Sequence, residues 1–164
     1  MLKNYKLGNY RLGSFVVQKR RQIISDPCYF DDILEQNDKK ILFLYSKNFK
    51  IGNWIIFKSI YEKKEQKMLE YSCINEEILE NFNNKYFDKI FKGYVSIDTG
   101  NIGFYPIESF LQQECIPYGT SKEYDIEKDS FTILSPHGDG VAKVFLREHE
   151  REIVDVSILF PLFQ

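Results

Sequence analysis

The sequence predicts an α+β fold dominated by strands, with an antiparallel sheet or sandwich as its main body and two helices. Strand-length apolar or alternating segments recur along the chain, and Gly, Pro, Asn and Asp separate them as turn formers. One further stretch has the periodicity of a helix instead. With 164 residues, of which 43% are hydrophobic and 28% charged, residues 1–164 are predicted to form a single globular domain.

The N-terminal part has an extended pattern that Pro27 interrupts. Strands are predicted for YRLGSFVV and QIIS, and the basic stretch QKRRQ between them is predicted to be a solvated hairpin tip. Pro27 lacks an amide hydrogen and biases Asp26 toward extended geometry, which favours a strand end at this point. The apolar strands ILFLYS and NWIIFKSIY follow, and EKKEQK is predicted to be a charged hairpin connection.

The clearest helix is predicted at about residues 75–92. Asn75 is a favoured N-cap, the next two residues are glutamates that suit the positive end of the helix dipole, and Gly93 is placed to end the helix. A second, short helix is predicted at about residues 106–115, with Pro106 in its first turn. The apolar stripe of the first helix repeats every four residues, at Ile78, Phe82, Tyr86 and Ile90.

The last third of the chain is predicted to be a β meander. The segment FTIL leads into the turn SPHGDG, and VAKVFL is joined through the charged REHERE to IVDVSILF. In this final strand apolar residues from Val154 to Phe160 alternate with Asp155 and Ser157, a one-sided pattern that fits a sheet covered on its apolar side. Residues 117–129 are polar and contain glycine, so they are predicted to be an exposed loop.

Charge balance and cysteine content limit the partners and the compartment. The net charge of −2 argues against duplex nucleic acid as a partner, because that partner calls for a basic surface. The chain has no apolar signal region and no run of about 18 apolar residues, so no membrane association is predicted. Cys28, Cys73 and Cys115 are scattered and form no CxxC pair, so we expect reduced thiols in a cytoplasm and predict neither a metal nor another cofactor.

Three aspartates lie beside turn formers at predicted strand ends. Asp26 precedes Pro27, Asp98 follows the alternating strand YVSID, and Asp139 lies in the HGDG turn. If they converge, their carboxylates would form a site at a sheet edge that could hold Mg²⁺ or Ca²⁺, or act as acid and base. The other interpretation is turn chemistry, in which each side chain accepts hydrogen bonds from nearby amides. The residues predicted as ligand-binding positions are Asp26, Asp98, Thr99, Gly100, His137, Gly138, Asp139 and Gly140.

Short motifs spread over most of the chain resemble a bacterial family known mainly as a domain of unknown function. The shared features are Asp-Pro at residues 26–27, the end of a middle strand at 98–100, and a Gly-Asp-Gly loop at 138–140 before two closing strands. This chain departs from the pattern at Thr99, where the family has Ser. It departs again at residues 141–142, which are Val and Ala, whereas the family usually has an aromatic residue within two positions of the loop. The resemblance implies a shared architecture and three acidic positions, and it implies no established activity.

Three classes of function fit these features. The first is a non-catalytic binding protein, of inhibitor or immunity type, that contacts another protein through an exposed aromatic patch with an acidic rim from residues 30–38 or 123–129. The second is a small-molecule or nucleotide binder that uses the turns TGNIG and HGDG as anion nests. The third is a metal-dependent hydrolase that uses Asp26, Asp98 and Asp139. Because no catalytic motif is recognisable, the sequence favours the binding protein over an enzyme.

Overall fold

The computed structural model describes residues 7–29, 43–81, 90–112 and 120–162, and strands dominate them. All strand pairs between named strands are antiparallel, and they form one sheet of six strands and one of five. The prediction of a strand-dominated antiparallel architecture is therefore confirmed. The strands are β1 (Gly8–Val17), β2 (Gln22–Ser25), β3 (Phe43–Ser46), β4 (Gly52–Lys63), β5 (Gln66–Asn75), β6 (Ile90–Ile97), β7 (Asn101–Pro106), β8 (Tyr124–Ile126), β9 (Phe131–Leu134), β10 (Gly140–His149) and β11 (Glu152–Leu162).

The two sheets pack face to face as a β-sandwich around one apolar core. The larger sheet has the order β1-β4-β5-β11-β10-β6, the smaller has β3-β2-β7-β9-β8, and both contribute side chains to the core. At its centre the rings of Phe15, Phe49, Trp54 and Phe104 are in contact, with centroids 5.1 to 6.5 Å apart. Each is at most 2% exposed, so the cluster joins the two sheets.

The first two strands belong to different sheets. β1 pairs with β4 in the larger sheet, whereas β2 lies between β3 and β7 in the smaller one. The basic stretch at residues 18–22 is thus a crossover between sheets, and the prediction of a hairpin tip is wrong. The bend is stabilised locally, because the buried side-chain amide of Gln22 donates to the carbonyl of Lys19 at 2.8 Å.

The first predicted helix begins where the sequence places it. α1 (Glu76–Asn81) starts after Asn75, whose side-chain oxygen accepts a hydrogen bond from the Glu77 amide at 3.2 Å. Ile78 is buried, as the apolar stripe predicted. The α+β description is therefore only partly matched, because the helices in the described residues are short.

The C-terminal end of that predicted helix is wrong. Residues 90–92 form the start of β6 and pair with β10, while 82–89 lie outside the described residues. Gly93 ends no helix: it has a φ of 153° at a β-bulge, where the register of the β6–β10 pair shifts. Strand pairing with distant residues overrides the four-residue apolar spacing at this end.

The second helix and the adjoining predicted loop also differ from the prediction. α2 (Ile107–Gln112) starts one residue late because Pro106 is the last residue of β7, and residues 113–115 lie outside the described residues. Within the predicted loop at 117–129, the short strand β8 forms an edge of the smaller sheet. The loop prediction is wrong there, because Tyr124 and Ile126 pack against the core.

The polar side of β11 is buried as well as its apolar side. Asp155 is 2% exposed and Ser157 1% exposed, because β11 lies in the middle of the larger sheet. The Nε of Arg147 lies 2.8 Å from a carboxylate oxygen of Asp155, and the hydroxyls of Ser157 and Ser72 are 3.1 Å apart. These polar contacts offset the cost of burying a charge and a hydroxyl.

Two hairpins of the larger sheet have tight turns made of ordinary residues. β4 and β5 are joined through Lys64 and Glu65, at φ 48° and 62°, which confirms the predicted charged hairpin connection. β10 and β11 are joined through Glu150 and Arg151, at φ 50° and 67°. Positive φ at both central residues matches the twist of the paired strands, but it is unfavourable for residues other than glycine and asparagine.

Candidate functional site

Asp26 is the hydrogen-bonding centre of the predicted site. It follows β2 directly and its side chain is fully buried. One carboxylate oxygen accepts from the amide of Cys28 at 2.9 Å and from the hydroxyl of Thr99 at 2.7 Å. The other accepts from the amides of Asp98 and Thr99, at 2.8 and 2.7 Å. The carboxylate therefore holds its own turn and the turn between β6 and β7 together.

The turn between β9 and β10 lies beside the same place. The amide of Ser135 donates to the carbonyl of Gly100 at 2.7 Å, and a side chain on Gly100 would be 3.8 Å from the Cα of Gly138. Within this turn the amide of His137 donates to the Ser135 hydroxyl, and the amide of Gly138 donates to the Ser135 carbonyl. The three motifs singled out by the sequence thus lie next to one another, joined by the Asp26 carboxylate and by the backbone hydrogen bond between Ser135 and Gly100.

The three carboxylates have different surroundings. Asp26 is enclosed, whereas Asp98 and Asp139 have exposed side chains. Across the described parts of the chain, no group of three or more His, Cys, Asp or Glu side chains is arranged to hold a metal ion. Each oxygen of Asp26 already accepts two hydrogen bonds, so this carboxylate acts as an acceptor for backbone and hydroxyl donors.

Several amides of the two glycine turns already donate to acceptors within the protein. The amides of Asp98 and Thr99, which an anion nest would need, donate to Asp26, and that of Gly138 donates within its own turn. His137 places its Nε2 against the carbonyl of Pro161. Gly140 begins β10 and pairs with Ile97. At the turn between β6 and β7, the Asp26 carboxylate therefore occupies the position that a bound anion would take.

Tyr105 brings a second buried polar group into the neighbourhood of Asp26. Its ring is 1% exposed and its hydroxyl is 2.7 Å from that of Thr132. Burial raises the pKa of Tyr105; the hydrogen bond with Thr132 acts in the opposite direction, and the negative charge of Asp26 adds to the rise. The phenol therefore stays neutral and serves as a packed, hydrogen-bonded core residue.

An exposed cluster on β6 and β10 was not singled out by the sequence patterns. We call Phe91, Tyr94, Val141 and Phe145 the aromatic patch. Its side chains share the face of the larger sheet that points away from the core, as the register of the two strands requires. The ring of Phe91 lies 5.4 Å from that of Tyr94 and 5.5 Å from that of Phe145. Phe91 is 47%, Tyr94 44% and Val141 55% exposed.

A lysine side chain lies beside the patch. The ammonium group of Lys143 lies 6.0 Å from the ring centre of Tyr94, within reach of a cation–π contact. Of the two stretches predicted as an acidic rim, residues 30–38 lie outside the described residues, and in residues 123–129 Glu123 forms an ion pair with Lys58. The alternation of β6, with Val95 buried and Tyr94 exposed, was the signal that could have located the patch.

Comparisons with protein-family models, with curated proteins and with solved structures find no match to this chain, so the family resemblance stays a prediction. None of the helices in the described residues has the length and apolar character needed to cross a membrane.

Proposed function

We propose that this chain is a non-catalytic, cytosolic binding protein of bacterial inhibitor or immunity type, and that it recognises another protein through the aromatic patch. The observation that carries the proposal is the exposure of Phe91, Tyr94 and Val141 side by side on one sheet face. Grouped exposed apolar side chains are typical of interaction surfaces, and aromatic residues are enriched in them.

The position of the patch supports the same proposal. β6 is at the end of the larger sheet within the described residues, so a partner can approach both the patch and the strand edge. Lys143 adds a cation beside Tyr94. A partner surface with apolar side chains and a nearby acidic residue would complement this arrangement.

The proposal is tested by crosslinking from inside the patch. A photoreactive phenylalanine analogue is placed at position 94 and, as a matched control, at position 10. Tyr10 is also 44% exposed and lies on β1, at the opposite end of the same sheet. In cells of the source organism, position 94 should crosslink to a defined protein and position 10 should not.

The partner identified in this way is then purified and its affinity measured by calorimetry. Combined Phe91→Ser and Tyr94→Ser should weaken binding about 10- to 100-fold, as expected for aromatic residues at an interface centre. Tyr10→Ser should leave the affinity unchanged. Equal crosslinking from both positions, or unchanged affinity of the F91S/Y94S variant, would contradict the proposal.

A further inference from the structure

A pocket of about 180 Å³ opens between the two sheets, on the opposite side of β6 from the aromatic patch. Its apolar wall includes Ile24, Phe49 and Ile153, each at most 3% exposed. β3 contributes Leu44, Tyr45 and Ser46, and β10 contributes Leu146. The pocket is therefore a gap in the core that remains connected to the surface.

The volume limits the occupant to one small apolar group. Sites for drug-sized ligands measure roughly 300–1,000 Å³, so a nucleotide or a large cofactor does not fit. A cavity of ~150 Å³ lined by Leu, Ile and Phe takes up benzene. The present pocket has walls of the same kind and a slightly larger volume, so a single ring or a short branched chain fits it.

The charged side chains at the mouth specify the polar end of the occupant. Lys92 and Glu148 both line the pocket; Lys92 lies on β6, and Glu148 lies on β10, two residues after Leu146. A second cation is close by, because Arg21 donates through its Nε to the Tyr45 hydroxyl at 2.9 Å. Glu108 lies close enough to act on the charge of Arg21, so Lys92 is the cation of the pocket lining with which an anionic head group would pair.

We propose that this pocket binds a small carboxylate with a ring-sized or branched hydrocarbon body, whose carboxylate group faces Lys92. The site uses the inner side of β6, so it is separate from the protein-binding surface proposed above. If the pocket binds no carboxylate, the proposal that the aromatic patch binds another protein is unaffected.

The test is a titration of the ¹⁵N-labelled protein with phenylacetate, followed by NMR. Amide shifts should be confined to the pocket, in particular to residues 44–46, Phe49 and Lys92. A ligand of about ten non-hydrogen atoms should have a Kd of roughly 1–10 mM. Phenethylamine, which carries the same ring on an ammonium head group, serves as the control and should bind more weakly.

Two exposed substitutions at the mouth give the sign of the charge preference. Lys92→Met should weaken phenylacetate binding about threefold to fivefold, and Glu148→Gln should strengthen it by a similar factor. Both side chains are exposed, so the variants should fold normally. The highest ligand concentration is about 50 mM, a several-fold excess over the expected Kd. If the pocket residues show no amide shifts at that concentration, the proposed site is overturned. Equal binding of the two ligands, or unchanged affinity in K92M, overturns the assignment of a carboxylate.

Discussion

Replacing Asp26 by asparagine tests the role of its carboxylate directly. The amide nitrogen of asparagine donates hydrogen bonds, so it cannot take the place of either oxygen without facing a backbone donor. In the better orientation the nitrogen replaces the oxygen near Cys28; the Thr99 hydroxyl can then reverse its role, and only the hydrogen bond from the Cys28 amide is lost. In the other orientation the amides of Asp98 and Thr99 both lose their acceptor.

The magnitude follows from the strength of these bonds. A hydrogen bond to a charged group contributes about 1.5–3 kcal/mol and a neutral one about 0.5–1.5 kcal/mol. Asp26→Asn loses one bond and weakens the other three, while it removes the cost of burying a charge. We expect a loss of about 2–4 kcal/mol in the free energy of unfolding, or roughly 5–15 °C in Tm for a domain of this size.

The assay is thermal and urea unfolding of Asp26→Asn beside matched controls. Asp139→Asn makes the same chemical change on an exposed side chain and should change stability by less than about 0.5 kcal/mol. Thr99→Val should fall in between, because it removes one hydrogen bond to Asp26, and Thr99→Ser should retain it. A D26N protein that melts within about 2 °C of the wild type, or controls that lose as much stability as D26N, would refute the reasoning.

Three further substitutions test other parts of the fold by urea or thermal unfolding. Arg147→Met should lower the free energy of unfolding by about 3–5 kcal/mol, because the buried Asp155 loses its guanidinium group. Adding Asp155→Leu should restore most of that stability, and a double variant no more stable than R147M would contradict this explanation. Gly103→Ala should lower the free energy of unfolding by about 1–3 kcal/mol, because the added methyl group overlaps the buried ring of Tyr105. An unchanged Tm would mean that the ring moves aside freely. Glu65→Gly should raise the Tm by about 1–4 °C, because glycine adopts a φ of 62° without strain. Glu65→Ala should not raise the Tm, and an equal rise in both variants would exclude relief of strain as the cause.

Local patterns predicted the parts of the fold that depend on near neighbours. The cap at Asn75, the hairpin between β4 and β5, and the alternation of β11 are each set by residues within a few positions. The distribution of β1 and β2 over two sheets depends on strands much later in the chain, so no pattern near residues 18–22 shows it. The same holds for residues 90–92, whose helical spacing yields to pairing with β10.

The candidate site was predictable in its positions and not in its contacts. Asp26 lies at a strand end beside a turn, and it accepts a hydrogen bond from an amide two residues on, as turn chemistry predicts. Its other donors belong to Asp98 and Thr99, which are 72 and 73 residues away. A separation of that size is fixed by the packing of the sheets and leaves no periodic trace in the sequence.

The central place of β11 has a consequence for the synthesis of the chain. β1, β4 and β5 can pair as soon as they leave the ribosome, but the free edge of β5 is filled only by β11. From Asn75 at the end of β5 to Glu152 at the start of β11 lie 77 positions (152 − 75), which take about 4–15 s to translate at ~5–20 residues per second. For that interval the edge of a ten-residue strand stays open to pairing with other nascent chains, so yield in a cell should depend on translation speed and on chaperones that cover β5.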